Sequence, residues 1–443
     1  MPSPGHAPAS ASPLKVATAS FIGTTVEYYD FFIYGTAAAL VFPSLFFPDS
    51  SPLVGTLLSF ATLGVGFLAR PAGGVLFGHF GDRVGRKKML VISLITMGAA
   101  TVLMGLMPGY AQIGVAAPIL LTLLRLVQGF AVGGEWGGAT LMAVEHAPPG
   151  KRGFYGAFPQ MGAPAGVGLA TIAFYLASQL SSAQFESWGW RLPFLFSALL
   201  VLVGMVIRLT VAESPEFEKV RAGNADVKLP IAEAFRRHTK EILLVAGAYL
   251  SQGVFAYICM SYLVSYADEN VGIERSHALM GVFVAAVVAV VLYAVCGALA
   301  DRWGRKTMYF IGAVAMLVTI WPAFALINAG GSVNFAIALV LVFGIAMAPA
   351  GGVTGSLFSM IFSPEVRYSG ASVGYTISQI CGAAFAPMIA TALYAVNDSS
   401  GPVVGYLMLV SAISVVSVLL LPGRLGRAES SGPVAGEPVR ASA

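Results

Sequence analysis

A chain of 443 residues that is 57% apolar and only 10% charged, with a mean hydropathy of +0.80, cannot cover itself with a water-compatible surface; soluble domains carry about 25% charged residues. It is read as an all-α integral membrane protein, which excludes the two or three soluble domains that length alone would suggest. The net charge of +4 is small, and the three cysteines (Cys259, Cys296, Cys381) stand singly inside apolar runs, without the spacing of metal ligands.

The chain opens on a Pro-, Ser- and Ala-rich tail, residues 1–16, expected to be disordered. A membrane span needs about 20 mostly apolar residues. Twelve runs qualify, near 17–42, 54–78, 88–108, 113–142, 154–180, 190–211, 241–267, 278–300, 307–328, 334–361, 370–396 and 402–422. They divide into a first six-helix bundle over 17–211, a charged linker over 212–240 and a second bundle over 241–422. A Gly-, Pro- and Ser-rich tail, 423–443, follows and is also expected to be disordered. An even number of spans puts both termini on one side. The tails and alternate links carry 21 of the 25 basic residues, whereas the opposite links hold Arg275 alone. The positive-inside bias therefore predicts cytoplasmic termini.

In span one, Glu27 and Asp30 lie three residues apart and share a helix face, with Tyr34 four residues beyond Asp30. Between spans two and three stands GHFGDRVGRKKM, Gly78 to Met89, with charges packed into a tight turn. It returns as GALADRWGRKTM, Gly297 to Met308, at an offset of 219 residues, so the chain is two copies of one unit. Span four carries Arg125, Gln128 and Glu135 near one side of a helix, and span five carries Gln160. In the second half the polar candidates are Gln252, Tyr257, Tyr375 and Gln379, with no comparable mid-span charge. An ionisable group near the bilayer centre costs at least about 2.5 kcal/mol on insertion scales, so such residues are functional candidates. The expectation is that Arg125 pairs with Asp30 or Glu27 in a cavity facing the other half. Such a carboxylate titrates when its pairing or its access to water changes, as a proton relay requires. Glu27, Asp30, Arg125 and Glu135 are the proton-coupling candidates. Arg125, Gln128, Tyr34, Gln160, Gln252, Tyr257, Tyr375 and Gln379 are the substrate candidates. A static ion pair between helices one and four is the competing reading. No hydrolase, kinase or nucleotide-binding constellation is present, and neither an enzyme nor a nucleic-acid partner is expected.

The chain resembles the metabolite:proton symporters of the major facilitator superfamily, whose members carry shikimate, α-ketoglutarate, citrate or proline and betaine. The stretches that carry the likeness are EYYDFFIYG, GVGFLARPAGGVLFGHFGDRVGRKKML, RLVQGFAVGGEWGGATLMAVEHAPPGKRGFYG, SWGWRLPFLFS and PEVRYSGASVGY, closest to the shikimate type. The resemblance implies a monomer in the plasma (inner) membrane, working by alternating access. It implies uptake of a small organic acid with the proton as coupling ion and no cofactor. A zwitterion symporter is the alternative and a drug/proton antiporter the more distant one. It also implies that Asp82 caps a helix of the other half in a cytoplasmic gate. That gate comprises Gly78, Asp82, Arg83, Gly85 and Arg86 and their second copies Asp301, Arg302, Gly304 and Arg305.

Overall fold

The computed structural model describes residues 13–84, 86–133, 143–144, 146–210, 230–362 and 367–422. The tails, Gly85, Glu135 and most of the linker lie outside the described residues. Apolar sequence in lipid must satisfy its own backbone, and helices do so within one segment. The described chain is accordingly helical. In chain order the first half holds α1 (Pro13–Leu40), α2 (Pro52–Val84), α3 (Arg86–Leu106), α4 (Ala116–Val132), α5 (Arg152–Ala177) and α6 (Arg191–Thr210). The second half holds α7 (His238–Val271), α8 (Arg275–Trp303), α9 (Arg305–Asn328), α10 (Ser332–Ile361), α11 (Ser369–Tyr394) and α12 (Gly401–Leu420). These twelve occupy the twelve apolar runs of the sequence. Eight pass as spans by length and composition alone among the described residues, and α6 makes a ninth with the short bent helix before it. α3 and α4 contain shorter apolar stretches, Val91–Leu106 and Ala116–Val132.

The packing repeats with the sequence. In the first half α1 lies on α5, α2 on α4 and α3 on α6; in the second, α7 lies on α11, α8 on α10 and α9 on α12. The halves meet where α5 packs on α8 and α2 on α11. Small residues permit these approaches. A Cβ on Gly297 of α8 would lie 2.6 Å from Cβ of Ala157 on α5, and one on Gly64 of α2 would lie 2.4 Å from the Phe385 ring on α11. α1 also touches α7, where a Cβ on Gly35 would stand 2.6 Å from the Ser261 hydroxyl.

The repeated loops are tighter than the sequence suggested. Gly78, Asp82 and Arg83 belong to α2, which runs to Val84, and α3 starts at Arg86, so only Gly85 separates them. In the second copy Asp301 and Arg302 close α8, Arg305 opens α9, and the reversal is confined to Gly304. Gly304 holds φ +89° and ψ 141°, a backbone state that a side chain disfavours. At the other end of the linker, a helix beginning at Pro230 runs into α7 through a break at His238 (φ −129°, ψ 28°). α7, α10 and α11 each widen into π-helical turns, at Ile258–Tyr262, Val340–Ala346 and Gln379–Ala383. Such turns are frequent at functional sites.

Candidate functional site

Asp30 is completely buried on α1. Ser197 of α6 donates to Oδ1 at 2.5 Å, and Thr101 of α3 donates to Oδ2 at 3.1 Å. Gln128 of α4 donates from Nε2 to Thr101 Oγ1 at 2.8 Å, and to the Asp30 carbonyl oxygen at 3.4 Å. Arg125, three residues before Gln128 and so on the same face of α4, donates from Nη1 to Gln128 Oε1. Arg125, Gln128, Thr101 and Asp30 thus form one connected chain across three helices. This corrects the expected direct pairing of Arg125 with an acid of span one. The glutamine can accept from the guanidinium and donate onward, while two hydroxyls already serve the carboxylate.

The Arg125 guanidinium lies 4.3 Å from the Phe31 ring centre and 4.4 Å from that of Tyr34. Gly66 of α2 leaves room for it, since a Cβ there would be 2.6 Å from Arg125 Nε. Tyr34 is turned away by its own bond, donating to Thr62 Oγ1 at 2.7 Å. Arg125 Nε and Nη2 are buried and make no hydrogen bond. A buried donor left unmade costs about 1–3 kcal/mol, and more on a charged group, so such atoms mark a place for a ligand or a water.

Arg70 was absent from the sequence candidates, although it lies inside the apolar run of span two. It is 8% exposed on α2, with its guanidinium 4.2 Å from the Phe31 centroid and 4.4 Å from that of Phe67. Its Nε also makes no hydrogen bond. Phe31 therefore contacts both cations, and the face of an aromatic ring attracts a cation. Thr101 and Ser197 were missed as well; single hydroxyls in apolar helices carry no sequence signal until the fold brings them to Asp30.

The second half supplies tyrosines. Tyr375 and Tyr28 join the halves through their hydroxyls at 2.7 Å, and Gln379 Nε2 donates to Tyr375 at 3.1 Å. Gln379 Oε1 is buried with no hydrogen-bond partner. The Tyr257 ring packs on Phe32 (5.4 Å between centres) and Phe67 (5.3 Å), so it spans the seam. Gln252 is engaged inside the second half, its Oε1 accepting from Thr354 at 3.0 Å and Tyr309 at 3.5 Å. Gln160 is buried on α5.

At the end of the bundle where α8 meets α9, Asp301 reaches across the seam. Its Oδ1 accepts from the Gly153 N–H at 2.7 Å and its Oδ2 from the Phe154 N–H at 3.1 Å. These are free donors of the first turn of α5, where a carboxylate is favoured. Gly153 is required for the approach, since a Cβ there would be 2.7 Å from Asp301 Oδ1. Arg305 pairs with the same carboxylate at 3.7 Å. The end of α12 shares this side, because Lys306 Nζ donates to the carbonyls of Leu419 and Leu421 there. The side chains of Gly78, Asp82, Arg83 and Arg86 in the first copy lie outside the described residues, as does all of Gly85.

A duplicated bundle with buried charges at its seam fits a carrier, and comparison with known proteins decides the family. The profile of the sugar (and other) transporter family matches residues 15–226 and again residues 216–421. This chain belongs to that family. It is 43% identical over 412 residues to the inner membrane metabolite transport protein YhjE of Escherichia coli K12, covering 92% of this chain and 93% of that one. It is 42% identical to the E. coli K12 shikimate transporter (92% and 94% covered), and 34% identical to the glycine betaine/proline/ectoine/pipecolic acid transporter OusA of Dickeya dadantii (92% and 83%). Among solved structures, that of the D-xylose-proton symporter superposes with a TM-score of 0.72, at 18% identity and with 93% and 97% of the two chains covered. The fold is that of the major facilitator superfamily. The protein is a multi-pass membrane transporter of the sugar and metabolite class, not an enzyme. The hydroxylated, cation-bearing seam between α1, α2, α4, α7 and α11 is where the candidate residues of the two halves come together.

Proposed function

We propose that this transporter takes up a small organic acid together with protons across the plasma (inner) membrane. Its two bundles, 17–211 and 241–422, alternate access around the seam, with both termini in the cytoplasm. The observation that carries this is a pair of buried guanidinium groups with unmade N–H bonds, one of them connected to the buried Asp30 through Gln128 and Thr101. A carboxylate suits a vacant guanidinium donor, because the arginine fork matches two oxygens. Asp30 holds the coupled proton; Glu27, Arg125 and Gln128 shape its field. The proton is the coupling ion, no cofactor is needed and the working unit is the monomer. The test is to add an organic acid, shikimate first, to de-energised vesicles: the external medium should turn alkaline as substrate enters. Acidification would indicate exchange against protons, and no change would indicate an uncoupled carrier.

A second reading has one observation in its favour. Arg70 on α2 and Glu27 on α1 are both buried ionisable groups of the first half, so a zwitterion such as a betaine has a cation and an anion to meet. Competition separates the two readings. Excess shikimate should suppress labelled uptake of the organic acid while glycine betaine leaves it unchanged; the reverse favours the zwitterion.

The Asp301 contact serves as a gate on the cytoplasmic side, and Asp82 plays the same part toward α11. A carboxylate cap on a helix N-terminus is worth about 0.5–2 kcal/mol, so removing it shifts the closed state by roughly twofold to thirtyfold. Asp301→Ala is expected to slow turnover by about that factor and leave substrate affinity within about threefold. Lost affinity in a normally folded protein would place Asp301 in the site and not in the gate.

A further inference from the structure

Two guanidinium groups flank Phe31, and their surroundings differ in a way that separates their duties. Arg125 is 0% exposed and held from several directions: it bonds Gln128, rests against Gly66, and lies over Phe31 and Tyr34. Every one of these contacts belongs to the first half. Its hydrogen-bonded route leads inward, through Gln128 and Thr101 to Asp30. Arg70 makes no hydrogen bond from Nε, and among the described residues no carboxylate lies within ion-pair distance of it. It is 8% exposed, and its ring partner Phe67 packs directly on Tyr257 of the second half. One cation therefore faces the proton site and the other faces the moving seam.

We propose that Arg70 is the anchor for the substrate carboxylate, while Arg125 is a positioning residue committed to Asp30. This rests on the transport reading above, and holds for an organic acid and for the carboxylate of a zwitterion alike. Phe31 is the element that makes the pair workable. The two cations repel each other, and the ring between them offers each a favourable face. When an anion arrives at Arg70, that repulsion is neutralised. The Arg125 charge then bears more fully on the Gln128–Thr101–Asp30 chain, which gives the cargo a means of acting on the proton site without touching it. Arg70 also precedes Pro71, which removes one backbone hydrogen bond in α2. The anchor accordingly sits where its helix can bend.

The experiment compares Arg70→Gln, Arg70→Lys and Arg125→Gln as purified full-length protein in proteoliposomes. Labelled shikimate, 2-oxoglutarate and glycine betaine serve as probes, and whichever the wild type carries is used throughout. Two readouts are taken: exchange across equal pH on both sides, which needs no net proton movement, and accumulation driven by a one-unit pH gradient. Arg70→Gln should raise the half-saturating concentration by about tenfold or more in both assays, the size of a lost hydrogen bond to a charged group. The pH dependence of its residual transport should shift, because loss of the Arg70 charge removes the same repulsion on Arg125 that a bound anion neutralises. Arg70→Lys, which keeps the charge and loses the fork, should fall between. Arg125→Gln should keep exchange affinity within about threefold and lose the gradient-driven accumulation. The reverse pattern, with Arg70→Gln binding as wild type and Arg125→Gln losing affinity, overturns the assignment and leaves the transport reading intact. If the wild type carries none of the three carboxylates, both fall. Thermal unfolding of each variant is measured alongside. If Arg70→Gln alone fails to fold, unchanged affinity in Arg70→Lys with an intact melting temperature overturns the proposal.

Discussion

Asp30→Asn is expected to abolish proton-driven accumulation while sparing exchange. Asparagine resembles the protonated carboxyl in size and polarity, and the hydroxyls of Ser197 and Thr101 can still bond its side chain, since each can donate or accept. The fold should survive. What is lost is the ability to pick up and release a proton. One pH unit is worth about 1.4 kcal/mol per coupled proton, or tenfold in the concentration ratio. With a one-unit gradient the variant should therefore accumulate up to about tenfold less for every proton coupled through Asp30, with equilibrium exchange within a few-fold of wild type. Accumulation that persists with unaltered pH dependence would remove Asp30 from the coupling step and move attention to Glu27. Thr101→Val and Gln128→Leu, which break the chain to Arg125, should weaken coupling in the same direction.

Gly129→Val should prevent the protein from reaching its native state. A Cβ at Gly129 on α4 would stand 1.8 Å from the carbonyl oxygen of Gly66 on α2 and 2.6 Å from its carbonyl carbon. The same seam is repeated at Gly73 against Phe130 and at Gly133 against Arg70, so the two backbones lie in contact along several turns. No side-chain rotamer relieves a clash with backbone. The helices must separate, at a cost above the roughly 1–3 kcal/mol typical of overpacking. Separation would displace both arginines, because Arg125 rests on Gly66 and the Arg70 carbonyl faces Gly133. The readout is yield and melting temperature in detergent, with Gly23→Ala as the control. A Cβ at Gly23 meets nothing within 4 Å, and a helical Gly→Ala change there should be neutral or gain about 0.5–1 kcal/mol. A Gly129→Val protein that melts as the wild type would show that α2 and α4 are not in this contact.

Much of the architecture was legible because lipid imposes so few solutions. Twelve apolar runs, a charge asymmetry between alternate links and a motif repeated at 219 residues lead to paired helical bundles, since a spanning segment must satisfy its own backbone. Asp30, Arg125 and Gln128 were legible for the same reason: ionisable and amide groups in apolar helices stand out. The partition of their bonds was not. Helical spacing places Arg125 and Gln128 on one face of α4 but does not say that the amide stands between the guanidinium and the hydroxyl of Thr101. Asp301 was legible as a member of a repeated loop, while its bonds to Gly153 and Phe154 involve residues nearly 150 positions away. Arg70 shows the limit from the other side. It lay inside a motif noted for its loop, and only its burial between Phe31 and Phe67 separates it from the topology-setting basic residues that follow.

From the order of residues alone came the membrane class, the twelve apolar runs, the duplicated unit and the concentration of ionic groups in the first half. These follow from composition and periodicity, which act along the chain. Only the tertiary structure decided which polar groups meet: Asp30 with Ser197 and Thr101, Tyr28 with Tyr375, and Phe31 between two guanidinium groups. Those meetings join helices far apart in sequence. They are set by which glycines let backbones touch and by which donors remain unmade once the helices have closed.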